Sequence, residues 1–242
     1  MPHYPLGYLS ATRHPWPCLW FLVPLLALYE AGVLWLGGAH PDALRNGADT
    51  WLRWGLESFG LRQYYVAPAL VVGLLLIWSW VRIMDRPDRL VRLWLGMALE
   101  SAAFALGLWI LSRHLGVVLE DFGIRLSTGP DNKALCRMIT FVGAGIYEEV
   151  LFRLLLLFVL NFGLRLLGLP SLLTLVLAAV FSSIIFAAAH HVGPYGEPFD
   201  RYVFVFRMVA SLYFAILFQL RGFGIAVGAH ASYDVLVGVL VA

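Results

Sequence analysis

The sequence predicts an all-helical transmembrane bundle, and three observations carry that expectation. Of 242 residues, 61% are hydrophobic and only 13% charged, and the mean hydropathy of +0.80 lies far outside the balance of a soluble domain. Apolar runs of roughly 20 residues, the length that crosses a bilayer, follow one another with short polar connections. In lipid, backbone polar groups must be satisfied within the structure, so such runs form helices. About seven spans are expected, with no soluble module, linker or low-complexity tract.

The first run, 16–38, follows a polar, Pro-rich stretch and ends at Gly37-Gly38 without a small-x-small cleavage site, so it reads as an anchor that is kept. Residues 40–64 mix Trp51, Leu52, Trp54, Leu56, Phe59 and Leu61 with Arg45, Arg53, Glu57 and Arg62, the pattern of an amphipathic helix lying in the interface. Runs 65–84 and 93–119 follow. The loop 120–135 contains Gly129-Pro130-Asp131-Asn132, the clearest turn signal in the chain. The remaining runs are 136–167, 170–191, 202–220 and 223–241. Gly168-Leu169-Pro170 is short enough to make the two segments it joins antiparallel neighbours. The chain divides into N-terminal helices over 1–135 and a catalytic helical core over 136–242.

A net charge of +2 gives no reason to invoke nucleic acid, since the arginines gather in helix-flanking loops where lipid headgroups lie. Arg82, Arg86, Arg89 and Arg92 crowd one connection and lean towards a cytoplasmic N-terminus. Cys18 and Cys136 do not suffice for a disulfide framework. The expected setting is a multi-pass protein of the cell membrane with the bilayer as its partner.

Ionisable side chains within a bilayer cost roughly 2.5 to 3.5 kcal/mol each even on lenient insertion scales, so charged clusters in apolar runs point to a working site. Three stand out: Glu148-Glu149-x-x-x-Arg153, Phe186-x-x-x-His190 and His230-x-x-x-Asp234. Residues four apart share a helix face, so Glu149 and Arg153 can pair while Glu148, about 100° round the axis, is left available. A carboxylate beside an imidazole is suited to deprotonating water, and His190 is the candidate partner, with Phe186 one turn earlier as a wall against lipid. Asp234 can hold the His230 imidazole in one tautomer, making it a donor towards a developing oxyanion. A base, its partner and a stabiliser of negative charge form the minimum for hydrolysing an amide with activated water.

In order and on separate apolar segments, these three patterns resemble the CPBP family of intramembrane endopeptidases, also called the CAAX protease and bacteriocin-processing or Abi family, which includes the Ras-converting prenyl protease. The resemblance spans roughly 136–241. It implies Glu148 as the catalytic glutamate, His190 as its partner in activating water, and His230 with Asp234 as the oxyanion pair. It also implies that Glu149 and Arg153 are essential, through shaping the site. Its substrates are peptides anchored in or beside the membrane, and no cofactor or resident metal is implied. The family's last position is commonly Asn, an amide donor; Asp234, if ionised, can only accept, which favours orienting His230.

Two other readings compete. Glu148, His190, His230 and Asp234 are all permissible zinc ligands, although no H-E-x-x-H is present. Buried charges can also form the relay of a transporter or scaffold, but no inverted repeat or matched pair of broken helices appears. Glu30, Glu100, Arg207 and Gln219 are expected to make interhelical hydrogen bonds. His191, and Trp and Tyr residues at segment ends, read as interfacial.

Overall fold

The apolar runs become helices packed into one bundle. The computed structural model describes residues 7–83, 87, 90–121, 134–193 and 196–240, leaving aside the side chains of 116–121, 134 and 240. Among them no strand occurs. A single turn, α1 (Tyr8–Ala11), leads into α2 (Pro15–Gly37); α3 (Gly47–Ser58), α4 (Val66–Val81) and α5 (Leu90–Asp121) follow. Then come α6 (Ala134–Glu149), α7 (Leu157–Leu166), α8 (Ser171–Ala189), α9 (Arg201–Arg221) and α10 (Phe223–Val235). The turn signal at Gly129-Pro130-Asp131-Asn132, and Arg86 and Arg89 of the second connection, lie outside the described residues.

Among the described residues, four helices are long and apolar enough to cross a membrane: Pro15–Gly37, Leu90–Leu115, Ser171–Ala189 and Arg201–Arg221. Two shorter apolar helices, Val66–Val81 and Phe223–Val239, stand beside them. The protein is therefore an integral membrane protein built as a helical bundle.

Helix α10 occupies the centre, packed by α2, α5, α6 and α9, and its residues Phe223 to Ala231 are all buried. Small residues make this possible. A Cβ on Gly224 or Gly228 would strike Met97 and Ser101 of α5, and Cys18 and Phe21 of α2 also crowd these positions. These contacts set α10 parallel to α2 and α5 with the backbones close, as the small-xxx-small pattern allows. On another face, a Cβ on Gly145 would stand 2.7 Å from the Ala231 backbone nitrogen, which brings α6 against α10. Tyr29 against Gly143 and Gly32 against Ile139 set α2 antiparallel to α6. Gly168, at φ +78°, makes the tight turn between α7 and α8 that the sequence predicts, in a conformation other L residues rarely adopt.

Two expectations change in detail. The run 136–167 is not one uniform helix: a π-helical stretch, Val150–Leu156, interrupts it, and a second, Leu236–Leu240, follows α10. The segment 40–64 is helical only in its middle, after a 3-10 turn at Pro41–Leu44. Its polar residues also do not simply face outwards, since Asp49 and Arg45 are buried against α2. Tyr29 and Glu30 of α2 supply the partners that make their burial tolerable, with Tyr29 Oη donating to Asp49 at 2.8 Å and Arg45 Nη1 to Glu30 at 3.3 Å.

Candidate active site

Helix α6 carries Glu148 and Glu149 at its end, the π-helical stretch carries Arg153, α8 is closed by His190, and α10 carries His230 and Asp234. The bundle brings all six side chains together.

Glu149 is wholly buried and faces two cations or cation-capable groups. His230 Nδ1 lies 2.8 Å from its Oε1, and Arg153 Nε lies 3.1 Å from its Oε2. The second approach is a charge contact rather than an aligned hydrogen bond, since both atoms lack a bond of good geometry. Arg153 Nη2 donates across to α9, to the Ser211 carbonyl at 3.1 Å and hydroxyl at 3.3 Å. The guanidinium lies 5.1 Å from the centre of the Phe186 ring and 5.9 Å from that of Phe214, aromatic faces that favour a desolvated cation.

Glu148 points elsewhere. Its Oε1 lies 3.9 Å from His190 Nε2 and its Oε2 lies 3.7 Å from His230 Nε2. Both separations exceed a direct hydrogen bond. Asp234 Oδ2 approaches the same His230 nitrogen at 3.5 Å. The ring of His230 is thus held on its Nδ1 side by Glu149, while its Nε2 faces Glu148 and Asp234. Phe214 stacks on it at 4.4 Å with a 13° interplanar angle.

A backbone group orients His190. Its Nδ1 lies 2.9 Å from the Phe186 carbonyl, an acceptor, so Nδ1 carries the proton and donates, and Nε2 is the nitrogen turned towards Glu148. The Phe186 ring lies 4.8 Å from the His190 ring and 4.9 Å from Phe152, forming an apolar wall behind the site.

The widened helix after Glu149 leaves backbone groups to be matched from outside. Ser182 of α8 donates to the Phe152 carbonyl at 3.1 Å, tying α8, and with it His190, to the π-helical stretch. Such bulges occur frequently at functional sites.

Beyond α8, Glu197 accepts both hydrogen bonds from Arg207 Nη2 at 2.9 Å, and its backbone N–H donates to the His190 carbonyl at 2.9 Å. Burial pushes the Glu197 carboxyl up, but the hydrogen bonds and charge of Arg207 outweigh this and hold it below the ordinary carboxylate range. Arg207, expected to make an interhelical hydrogen bond, instead fastens the connection beside His190 through Glu197.

Residues 130–236 match the family described as Type II CAAX prenyl endopeptidase Rce1-like. The matched stretch, a little under half of the chain, is similar to that family. All six clustered residues fall within it, and as a family of endopeptidases it supports a peptidase assignment. No curated protein and no solved structure matches the chain.

Among the described residues, no group of three or more His, Cys, Asp or Glu side chains is arranged to hold a metal ion. The CAAX protease patterns identify the charged residues but not Ser211, Phe214 and Ser182. Arg207, Ser211 and Phe214 follow i, i+4, i+7 spacing along α9, the one sequence signal that marks that face.

Proposed function

We propose that this protein is an intramembrane endopeptidase in which Glu148 and His190 activate water against a peptide bond of a membrane-anchored or membrane-adjacent substrate. The observation that carries this reading is the position of the Glu148 carboxylate, 3.9 Å from one imidazole and 3.7 Å from another. These spacings suit a single bridging water better than direct contact.

In this mechanism, Glu148 takes a proton from water while His190 Nε2 accepts a hydrogen bond from it. The hydroxyl oxygen bonds to the scissile carbonyl carbon, and the carbonyl electron pair moves to its oxygen. His230, with Nδ1 anchored on Glu149, presents an Nε2 proton to that oxyanion when the ring is charged. Asp234 favours the charged ring and helps orient it. As the intermediate collapses, the C–N bond breaks and Glu148 returns the proton to the leaving amine. General acid–base steps of this kind contribute about 10²- to 10⁴-fold, and a well-placed oxyanion donor about 10²- to 10³-fold.

Glu149 and Arg153 are positioning residues in this account. They hold His230, and through the Ser211 contacts they fix α9. The catalytic core is carried by 136–242, and the helices before it scaffold α6 and α10. The family's description as prenyl endopeptidases favours a substrate bearing a lipid close to the cleaved bond.

The test is cleavage of fluorogenic, lipid-anchored peptides by detergent-purified protein, comparing wild type with Glu148→Gln, with and without chelator. Chelator-resistant cleavage lost in the variant is the expected result. Chelator-sensitive cleavage would replace it with a metallopeptidase, and failure to cut a broad panel would favour a transporter or scaffold.

A further inference from the structure

Among the described residues, no hydrogen bond holds the Glu148 carboxylate, and the imidazole nitrogens it faces stand 3.9 and 3.7 Å away. Its direction is therefore set by its backbone. The α-helical ladder of α6 ends one residue later, at Glu149, and gives way to the wider π-helical stretch Val150–Leu156. Whatever fixes the last turn of α6 thus fixes Glu148.

Both neighbours of Glu148 are anchored. Glu149 is held by His230 of α10 and by Arg153. Tyr147 is wholly buried, and its Oη donates to Glu30 of α2 at 2.6 Å, the short length of a hydroxyl bound to a carboxylate. Successive helix residues stand about 100° apart, so Tyr147 is turned to α2, Glu149 to α10, and Glu148 projects between them.

Glu30 cannot swing freely. Arg53 Nη2 donates to it at 3.1 Å and Arg45 Nη1 at 3.3 Å. Each arginine is also held on Asp49 at 2.7 Å, and Asp49 accepts from Tyr29 Oη at 2.8 Å. The Tyr29 and Tyr147 rings pack 5.6 Å apart. Asp49, Tyr29 and Tyr147 are all fully buried.

We infer that Tyr147 is a positioning residue: its hydroxyl, anchored on Glu30 by the arginines of α3 and the preceding turn, fixes the direction in which the Glu148 carboxylate meets water. The inference rests on Glu148 as the base proposed above. Burying charges gains little stability over apolar packing of similar volume, so the network serves to hold one arrangement more than to strengthen the fold. The amphipathic segment before α4, which carries no reacting group, contributes to the site through this tie.

The experiment measures kcat and KM on the lipid-anchored peptides, beside unfolding midpoints, for full-length wild type, Tyr147→Phe, Tyr29→Phe and Glu148→Gln. Each Tyr→Phe change removes one hydroxyl from a buried carboxylate of the same network and keeps the ring, so the two should lower the midpoint by a comparable few degrees. Cleavage is compared below both midpoints. Tyr147→Phe is expected to lower kcat about ten- to a hundredfold with KM within about twofold, because a small displacement of a catalytic group costs rate rather than binding. Tyr29→Phe, whose hydroxyl lies on the far side of the network from Glu148, should keep kcat within about twofold. Equal kcat losses in the two variants, or an unchanged kcat in Tyr147→Phe while Glu148→Gln is inactive, would overturn the positioning role alone. Cleavage by Glu148→Gln would instead overturn the assignment of the base, and the inference with it.

Discussion

Two adjacent glutamates with opposite surroundings define the site at the scale of single residues. Glu149 is enclosed by Arg153 and His230, whereas Glu148 faces two imidazole nitrogens at distances left for something smaller. Removing one member of a buried charge pair leaves the other uncompensated, so Arg153→Leu should destabilise the fold by about 3 to 5 kcal/mol, seen as a lowered unfolding midpoint. Asp234→Asn should be mild. His230 keeps its 2.8 Å anchor on Glu149, so the variant should fold normally and retain cleavage within about tenfold of wild type, corresponding to about 1.4 kcal/mol. Loss of more than a hundredfold in a kinetic assay would mean that the Asp234 charge is indispensable. The i, i+4 spacing makes the Glu149–Arg153 contact legible in the sequence. The longer-range contact of Glu149 with His230 is not legible, because no local rule ties residues 81 positions apart. Hence the sequence gives orientation of His230 to Asp234, while the tighter hold in the structure comes from Glu149.

Local geometry at the scale of elements decides how the three motifs meet. Gly145 lets α6 lie against Ala231, and a larger side chain there must force the helices apart. Gly145→Val should therefore cut activity sharply by moving both glutamates from His230, with a stability loss of about 1 to 3 kcal/mol, separable by measuring cleavage and unfolding together. Ser182→Ala removes the donor to the Phe152 carbonyl and should cost about 1 to 3 kcal/mol. The Glu197–Arg207 tie has a defined pH response. Because the Glu197 carboxyl is held below its ordinary range, the stability it contributes is fully present above the unfolded-state value and disappears as pH falls through the lower folded value. Glu197 is more than half exposed, so the contribution is modest, below about 1 kcal/mol. Wild type should lose its advantage over Glu197→Gln on acidification; parallel melting curves across that range would refute the tie. Helix existence is legible at this scale from apolar runs, and the turn at Gly168 from composition. The π-helical stretches are not, since they depend on partners such as Ser182 contributed by another helix.

For the whole molecule, the sequence shows a helical membrane protein because composition alone forces helices in lipid. Length and apolarity settle fewer crossings than the seven runs expected: among the described residues four helices meet those criteria, and Val66–Val81 and Phe223–Val239 are apolar but shorter. The inward face of α3 is not legible either, because Asp49 and Arg53 are satisfied by Tyr29 and Glu30 of α2. The central placement of α10 follows from Gly224, Gly228 and the small residues between them, a pattern visible in the sequence only once its neighbours are known. Around this helix the bundle assembles a charged site from four elements.

The division between the two glutamates is tested most directly by measuring peptide cleavage and thermal unfolding side by side for wild type, Glu148→Gln and Glu149→Gln. The account predicts that Glu148→Gln unfolds like wild type but does not cleave, whereas Glu149→Gln loses both activity and several degrees of stability. Cleavage by Glu148→Gln, or equal destabilisation of the two variants, would contradict it.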